Sequence, residues 1–86
     1  MKPKYIYLLV TDHIKCESFV LGFENEEDLI FARAENKKNR KWLKDWETYR
    51  TKKEAVKEAR TCRTNGYPWR YNPDRNKMPV KTINCK

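Results

Sequence analysis

The sequence is poor in the residues from which catalytic and nucleotide-binding motifs are built. It holds two glycines and one histidine in 86 residues, so it contains no Gly-rich phosphate loop and no Ser/His/Asp order. His13 beside Asp12 is compatible with a nuclease base, but loop residues of this kind are usually solvated. We therefore expect a protein without enzymatic activity.

Long hydrophobic runs are also missing. No stretch approaches the roughly 20 apolar residues that a membrane span needs. The first apolar run, Tyr5–Val10, is shorter than a signal-peptide core, and no small-residue cleavage site follows it. These observations predict a cytoplasmic protein with no membrane partner.

The cysteines are few, odd in number and widely spaced. Cys16, Cys62 and Cys85 fit reduced thiols better than a disulfide framework. Together with His13 they have the composition of a zinc site, but structural zinc sites usually show a short ligand spacing at both ends, and here only His13 and Cys16 form such a pair. The sequence predicts neither a metal nor another cofactor.

What the chain does have is a strong segregation of charge. Residues 1–35 carry four bases and seven acids, a net charge of −3, whereas residues 36–86 carry sixteen bases and five acids, a net charge of +11. A pI near 9.5 with Lys and Arg concentrated in one part of a small chain is typical of proteins that bind a polyanion, most often nucleic acid.

Length and composition predict a single folded domain over residues 1–86. A chain of this size buries only about 60% of the surface that its unfolded form exposes, so its core must be small. Three Trp, five Tyr and three Phe nevertheless supply large side chains for packing or stacking. So small a core also leaves apolar surface to cover, which makes a homodimer plausible.

Hydrophobic period predicts the order of the first elements. Tyr5–Val10 and Phe19–Phe23 are apolar, β-branched and aromatic, and they predict an antiparallel hairpin. Asn25 precedes three acidic residues, as an N-cap precedes a first helical turn, and predicts a helix over residues 26–36. Its buried face is expected to include Leu29 and Ile30.

The second half of the sequence repeats this order of an apolar or aromatic segment, a helix cap and a helix. Thr51 and Glu54 form a capping box that begins a second helix, and Asn65-Gly66 is a C-terminal stop. Residues 41–49 are compatible with a strand or a helix, and we favour a strand. Residues 67–79 hold turn formers and predict an irregular aromatic and basic segment, after which Val80–Ile83 is a possible edge strand.

These elements predict an α+β fold: a small two-layer sandwich with an antiparallel sheet of three to four strands and two helices on one face. We expect ten residues to be buried: Leu8, Val10, Val20, Leu21, Phe23, Leu29, Ile30, Leu43, Val56 and Ala59.

Two groups of residues are candidates for contact with nucleic acid. The first is basic and lies before and on the second helix, where phosphate neutralisation would give affinity without sequence preference; the alternative is a soluble helix surface, since Glu54 and Glu58 pair with Lys neighbours. It comprises Lys37, Lys38, Arg40, Lys41, Lys44, Lys52, Lys53, Lys57, Arg60 and Arg63.

The second group interleaves rings and cations in the irregular segment. Aromatic faces stack on unpaired bases while guanidinium and ammonium groups hold phosphates, so the pattern is typical of proteins that bind single-stranded nucleic acid. Of the two nucleic acids, we favour RNA over DNA as the partner. The alternative is that the rings fold back and cap the small sheet. The group comprises Tyr67, Trp69, Arg70, Tyr71, Arg75 and Lys77.

In general character, the small size, high Lys content and aromatic, basic tail resemble the small early proteins of T4-type bacteriophages. This resemblance implies a non-enzymatic effector in the host cytoplasm, such as an RNA-binding inhibitor of a host or defence nuclease or toxin. The alternative is an antitoxin-like protein–protein inhibitor that binds its target directly, without nucleic acid.

Overall fold

The computed structural model describes residues 5–61, 63–64 and 67–81, and for residues 63–64 and 67–68 it describes the backbone alone. A four-stranded, mostly antiparallel sheet and two helices form a small α+β sandwich, which confirms the predicted fold class. The elements are β1 (Ile6–Asp12), β2 (Glu17–Phe23), α1 (Glu26–Asn39), β3 (Leu43–Tyr49), α2 (Lys52–Thr61), the short strands β4 (Arg63–Thr64), β5 (Tyr67–Pro68) and β6 (Arg70–Tyr71), and a 3-10 turn, Pro73–Arg75. The strands of the sheet lie in the order β3-β1-β2-β6.

The first two strands form the predicted hairpin and extend further than the apolar runs. Their register places Ile6 opposite Phe23 and Asp12 opposite Glu17. The Asp12 carboxylate closes the connecting turn by accepting hydrogen bonds from the Ile14 and Lys15 amides at 2.8 and 3.0 Å. The two strands thus form the centre of the sheet.

Both helices begin at the residues that their caps predict. The Asn25 side chain accepts a hydrogen bond from the Asp28 amide at 2.9 Å, and the Thr51 hydroxyl accepts one from the Glu54 amide at 3.2 Å. Such caps satisfy amides that a first helical turn leaves without partners. α1 continues to Asn39, three residues beyond the predicted end.

The two helices contact opposite faces of the sheet, whereas sequence analysis placed both on one face. Leu8, Val10, Phe19, Leu21 and Phe23 pack against Leu29 and Ala32 of α1. Leu9 and Val20, which alternate with them along the same strands, pack against Ala55 and Ala59 of α2. β1 and β2 therefore have apolar side chains on both faces, as their continuous hydrophobic runs require.

Topology accounts for this placement. β2 and β3 lie on either side of β1, and α1 connects them across one face. After β3 the chain crosses back to β6 at the other edge through α2. Crossover connections between parallel strands are almost always right-handed. The crossovers from β2 to β3 and from β3 to β6 run in opposite directions across the sheet, so both can be right-handed only if α1 and α2 lie on opposite faces.

The predicted core is confirmed with one clear exception. Leu43 and Val56 are half-buried and Ile30 is 62% exposed, while the other seven predicted residues are buried. α1 turns Asp28, Leu29 and Ala32 toward the sheet. Ile30 follows Leu29 by 100° around the helix, so it projects away from the core.

Residues 70–80 cover the outer edge of β2. β6 pairs with β2 in parallel, the Asn76 side chain accepts a hydrogen bond from the Val20 amide at 2.8 Å, and the Val80 amide donates to the Gly22 carbonyl at 2.7 Å. The segment predicted to be irregular is therefore an edge cover with short regular elements. Val80 and Lys81 form no strand, and the rest of the proposed Val80–Ile83 strand lies outside the described residues.

Within the described part of the chain, neither helix has the length and apolar composition required to cross a membrane.

Candidate nucleic-acid interface

The C-terminal ends of both helices lie at the same end of the sheet, beside the β1–β2 turn. The His13 amide donates to the Trp42 carbonyl just after α1, and the Ser18 hydroxyl donates to the Ala59 carbonyl of α2 at 2.7 Å. Basic residues at the ends of α1 and α2 thereby come to one end of the molecule. Lys37 and Lys38 lie in the last turn of α1, and Arg60 lies in the last turn of α2.

A groove of about 650 Å³ separates the C-terminal half of α1 from β3. Its floor includes Val10 and Leu43, and four basic residues line it: Arg33, Lys37, Lys41 and Lys44. The one carboxylate among its lining residues, Asp45, accepts a hydrogen bond from the Arg33 guanidinium at 3.2 Å. The groove therefore has an excess of positive charge over a partly apolar floor. We call it the basic groove.

Two exposed tryptophans are next to groove residues in the sequence. Trp42, 39% exposed, lies between the groove residues Lys41 and Leu43, and Trp46, 43% exposed, follows Asp45. The Trp46 indole N–H donates to the Thr11 hydroxyl at 3.0 Å, which holds the ring on the α2 face of the sheet, across β3 from the groove, with part of its surface open to solvent. Rings held in this way can stack on unpaired bases.

The predicted basic residues divide between the two sides of the sheet. Lys37, Lys38, Arg40 and Lys41 are exposed at the end of α1, whereas Lys53, Lys57 and Arg60 are exposed on α2, across the sheet. The Arg60 guanidinium lies 6.0 Å from the centre of the Tyr71 ring. The side chains of Arg63 and Tyr67 lie outside the described residues.

The rings of the C-terminal segment are packed, as the alternative interpretation expects. Trp69 is 8% exposed and its ring lies 4.7 Å from that of His13. Tyr71 packs against the Leu9/Val20 cluster, and its hydroxyl accepts a hydrogen bond from the Asn76 amide group at 2.7 Å. These two rings complete the fold and present little surface for base stacking.

Cations of the same segment are partly engaged by two buried carboxylates. Arg75 donates to Asp12 at 3.0 Å and to Glu17 at 2.9 Å, and its guanidinium lies 4.4 Å from the centre of the Phe19 ring. Arg70, with most of its side chain exposed, donates to Glu17 at 3.2 Å. Lys77 is exposed, and its backbone carbonyl accepts from the Gly22 amide. Arg75 is therefore a structural residue.

These contacts shift the pKa values of both carboxyls. Burial would raise the pKa of Asp12, but hydrogen bonds from the Lys15 amide and Arg75 outweigh it and lower that pKa. The hydrogen bond from Arg75 is the main cause that lowers the pKa of Glu17, against the opposing effect of burial. Both groups are consequently held in the ionised form.

The residues considered for catalysis or metal binding do not converge in the described chain. The Asp12 carboxylate is occupied by the turn amides and Arg75. His13 and Cys16 are exposed in the β1–β2 turn, while Cys62 and Cys85 lie outside the described residues. Over residues 5–61, 63–64 and 67–81, no group of three His, Cys, Asp or Glu residues could hold a metal ion.

Sequence reasoning missed Arg33, Trp42 and Trp46 as members of a site. A signal for the two tryptophans was present, because Trp42 and Trp46 alternate with Lys44 along the predicted strand and alternate residues share a face. Arg33 gave no such signal: it joins the groove only because α1 lies beside β3.

Comparison of the chain with protein-family models, with curated proteins and with solved structures finds no match.

Proposed function

We propose that the protein is a non-enzymatic nucleic-acid-binding effector, with single-stranded RNA as its preferred ligand. The observation that carries the proposal is the basic groove between α1 and β3, together with exposed Trp42 just before β3 and exposed Trp46 on the other face of β3, which is an edge strand that a single-stranded chain can cross. Backbone phosphates bind the cations of the groove, and unpaired bases stack on the tryptophans. The two kinds of contact together suit a single strand better than a duplex, whose bases are already stacked.

The basic groove is a better candidate than the outer surface of α2. The groove is concave and has a single acidic lining residue, whereas Glu54 and Glu58 interrupt the basic residues of α2. Arg60 is also placed over the Tyr71 ring. The basic residues of α2 then contribute mainly long-range electrostatic attraction between the protein and the nucleic acid. This attraction accelerates association and is screened by salt.

A pair of charge-matched triple variants tests this assignment. Lys37→Gln/Lys41→Gln/Lys44→Gln removes three charges from the groove, and Lys52→Gln/Lys53→Gln/Lys57→Gln removes three from α2. We expect the groove variant to lose affinity for a single-stranded RNA oligonucleotide and to lower the slope of log affinity against log salt by about 2, at roughly 0.7 per phosphate contact. The α2 variant should stay close to the parent in both measures.

Tryptophan variants probe the stacking half of the proposal. Trp46→Ala should weaken single-stranded RNA binding by about 1 to 3 kcal/mol with little change in salt slope. Trp46→Phe keeps an aromatic face and should recover most of that affinity. Circular dichroism of each variant verifies folding, since Trp46 also donates to Thr11.

The same measurements decide between nucleic-acid binding and the alternative, direct inhibition of a protein. If the groove variant bound RNA and DNA as tightly as the parent at low salt, the nucleic-acid proposal would fail. The protein would then be interpreted as a protein–protein inhibitor. For both the nucleic-acid-binding and the protein-inhibitor interpretation, the proposal includes a phage origin and residence in the host cytoplasm. It also includes a host or defence protein as a further partner. Identifying what co-purifies with a tagged chain tests that part.

A further inference from the structure

The outer surface of α1 carries an apolar patch that the fold leaves uncovered. Ile30 is 62% and Phe31 42% exposed, and with Ala34 they lie on the side of the helix away from Leu29 and Ala32. Glu27, Glu35 and Lys38 border the patch. Large apolar side chains that cluster in this way on one helix face mark an interaction surface.

The order of residues along this face is self-complementary. Glu27, Phe31, Ala34 and Lys38 follow at spacings of four, three and four, so they form one row along the helix. When a second copy of α1 is laid antiparallel on the first, one two-fold axis places Glu27 opposite Lys38 of the other copy. The same axis places Phe31 opposite Ala34, a large side chain against a small one.

The ends of the helix favour the same arrangement. The first turn of α1 is acidic at Glu26, Glu27 and Asp28, and its last turn is basic at Lys37 and Lys38. An antiparallel pair brings each acidic first turn beside a basic last turn, and it also opposes the two helix dipoles favourably. A parallel pair would place like charges together at both ends.

We infer that α1 mediates a two-fold symmetric homodimer, in which the row Glu27, Phe31, Ala34, Lys38 packs antiparallel on the same row of a second copy. The contact is isologous, as two-fold symmetry requires. Ile30 adjoins the row and extends the apolar contact. The inference does not rest on the proposed function: the patch and the basic groove meet at Ala34, which lines both, but the groove cations on α1, Arg33 and Lys37, are not part of the row.

One helix from each chain forms a small interface, so we expect a concentration-dependent equilibrium of monomer and dimer. Sedimentation velocity of the full chain over a wide concentration range measures it. Phe31→Asp should yield a monomer at every concentration. Since Phe31 is exposed in the monomer, circular dichroism of this variant should match that of the parent.

A charge-swap experiment tests the register itself. Glu27→Lys places Lys opposite Lys at both ends of the dimer, and Lys38→Glu places Glu opposite Glu, so each variant alone should dissociate. Mixed together they restore two opposite-charge contacts, and native mass spectrometry should show the heterodimer above either homodimer. Glu58→Lys and Lys57→Glu on α2 are the controls and should leave the parent equilibrium unchanged.

Three results would overturn the inference. They are a parent chain that remains monomeric at the highest concentration, a dimer that survives Phe31→Asp, and charge variants that fail to associate selectively with each other. The last two would move the dimer contact to another surface. None of the three affects RNA binding by the basic groove, which the lysine and tryptophan variants test separately.

Discussion

At the scale of single residues, the contacts that sequence can predict are those made within one turn of chain. The Asn25 and Thr51 caps are of this kind, since each accepts from an amide three residues further on. The group formed by Asp12, Glu17 and Arg75 is of the opposite kind. Arg75 is 63 and 58 residues from its two partners, and nothing in its neighbourhood distinguishes it from a surface cation that could bind phosphate.

The group formed by Asp12, Glu17 and Arg75 makes the free energy of unfolding depend on pH. A carboxyl whose pKa is lower in the folded protein stabilises it fully above the unfolded pKa, and the contribution is lost as pH falls through the folded pKa. The ordinary values are 3.8 for Asp12 and 4.5 for Glu17, and both are lowered. The parent should therefore lose this stabilisation progressively below about pH 4.5.

Arg75→Met removes the shared cation, so both folded pKa values should rise. We expect lower stability at neutral pH and an acid-unfolding midpoint at higher pH, measured as the free energy of unfolding against pH. Arg33→Met is the control: it breaks the exposed pair with Asp45, and such pairs contribute little. A pH profile of Arg75→Met parallel to that of the parent would show that the group is not linked to folding.

At the scale of elements, the sequence predicts which segments form helices and strands better than it predicts where they pack. Period and caps identify α1, α2 and the β1–β2 hairpin because these signals are local. The prediction that Ile30 is buried was wrong because the sequence does not show whether an apolar residue of a helix faces the sheet or the solvent. The pairing of β6 with β2 was missed because two-residue strands carry no period.

The cover over β2 depends on side-chain as well as backbone contacts, and Asn76 makes two of them. Its carbonyl oxygen accepts from the buried Val20 amide and its amide group donates to the Tyr71 hydroxyl. Asn76→Ala should destabilise the protein by about 1 to 3 kcal/mol, because it leaves a buried amide without a partner. Urea unfolding measures this loss. Asn39→Ala, at an exposed position of α1, is the control, and an equal effect of both changes would show that Asn76 does not hold the edge.

At the scale of the whole molecule, one sheet serves two apolar clusters. Leu8 and Val10 point to one and Leu9 to the other, and the same division holds along β2. Neither cluster can be lost without exposing strands that the other requires. The charge segregation visible in sequence becomes the basic groove only at this scale, because it depends on α1 lying beside β3.

Two phenylalanines test whether the shared sheet makes folding a single cooperative event. Phe23 is fully buried and Phe31 is exposed on α1, so the same truncation to Ala should cost about 3 to 5 kcal/mol at the first and far less at the second.

At low protein concentration, where α1 pairing does not contribute, helix signal by circular dichroism and tryptophan fluorescence should lose their native values together in urea for the parent and both variants. Because Trp46 is tied to Thr11 on the α2 side of the sheet while Phe23 packs on the α1 side, Phe23→Ala should shift the fluorescence transition as far as the helix transition. Separate transitions would mean that the two faces fold independently.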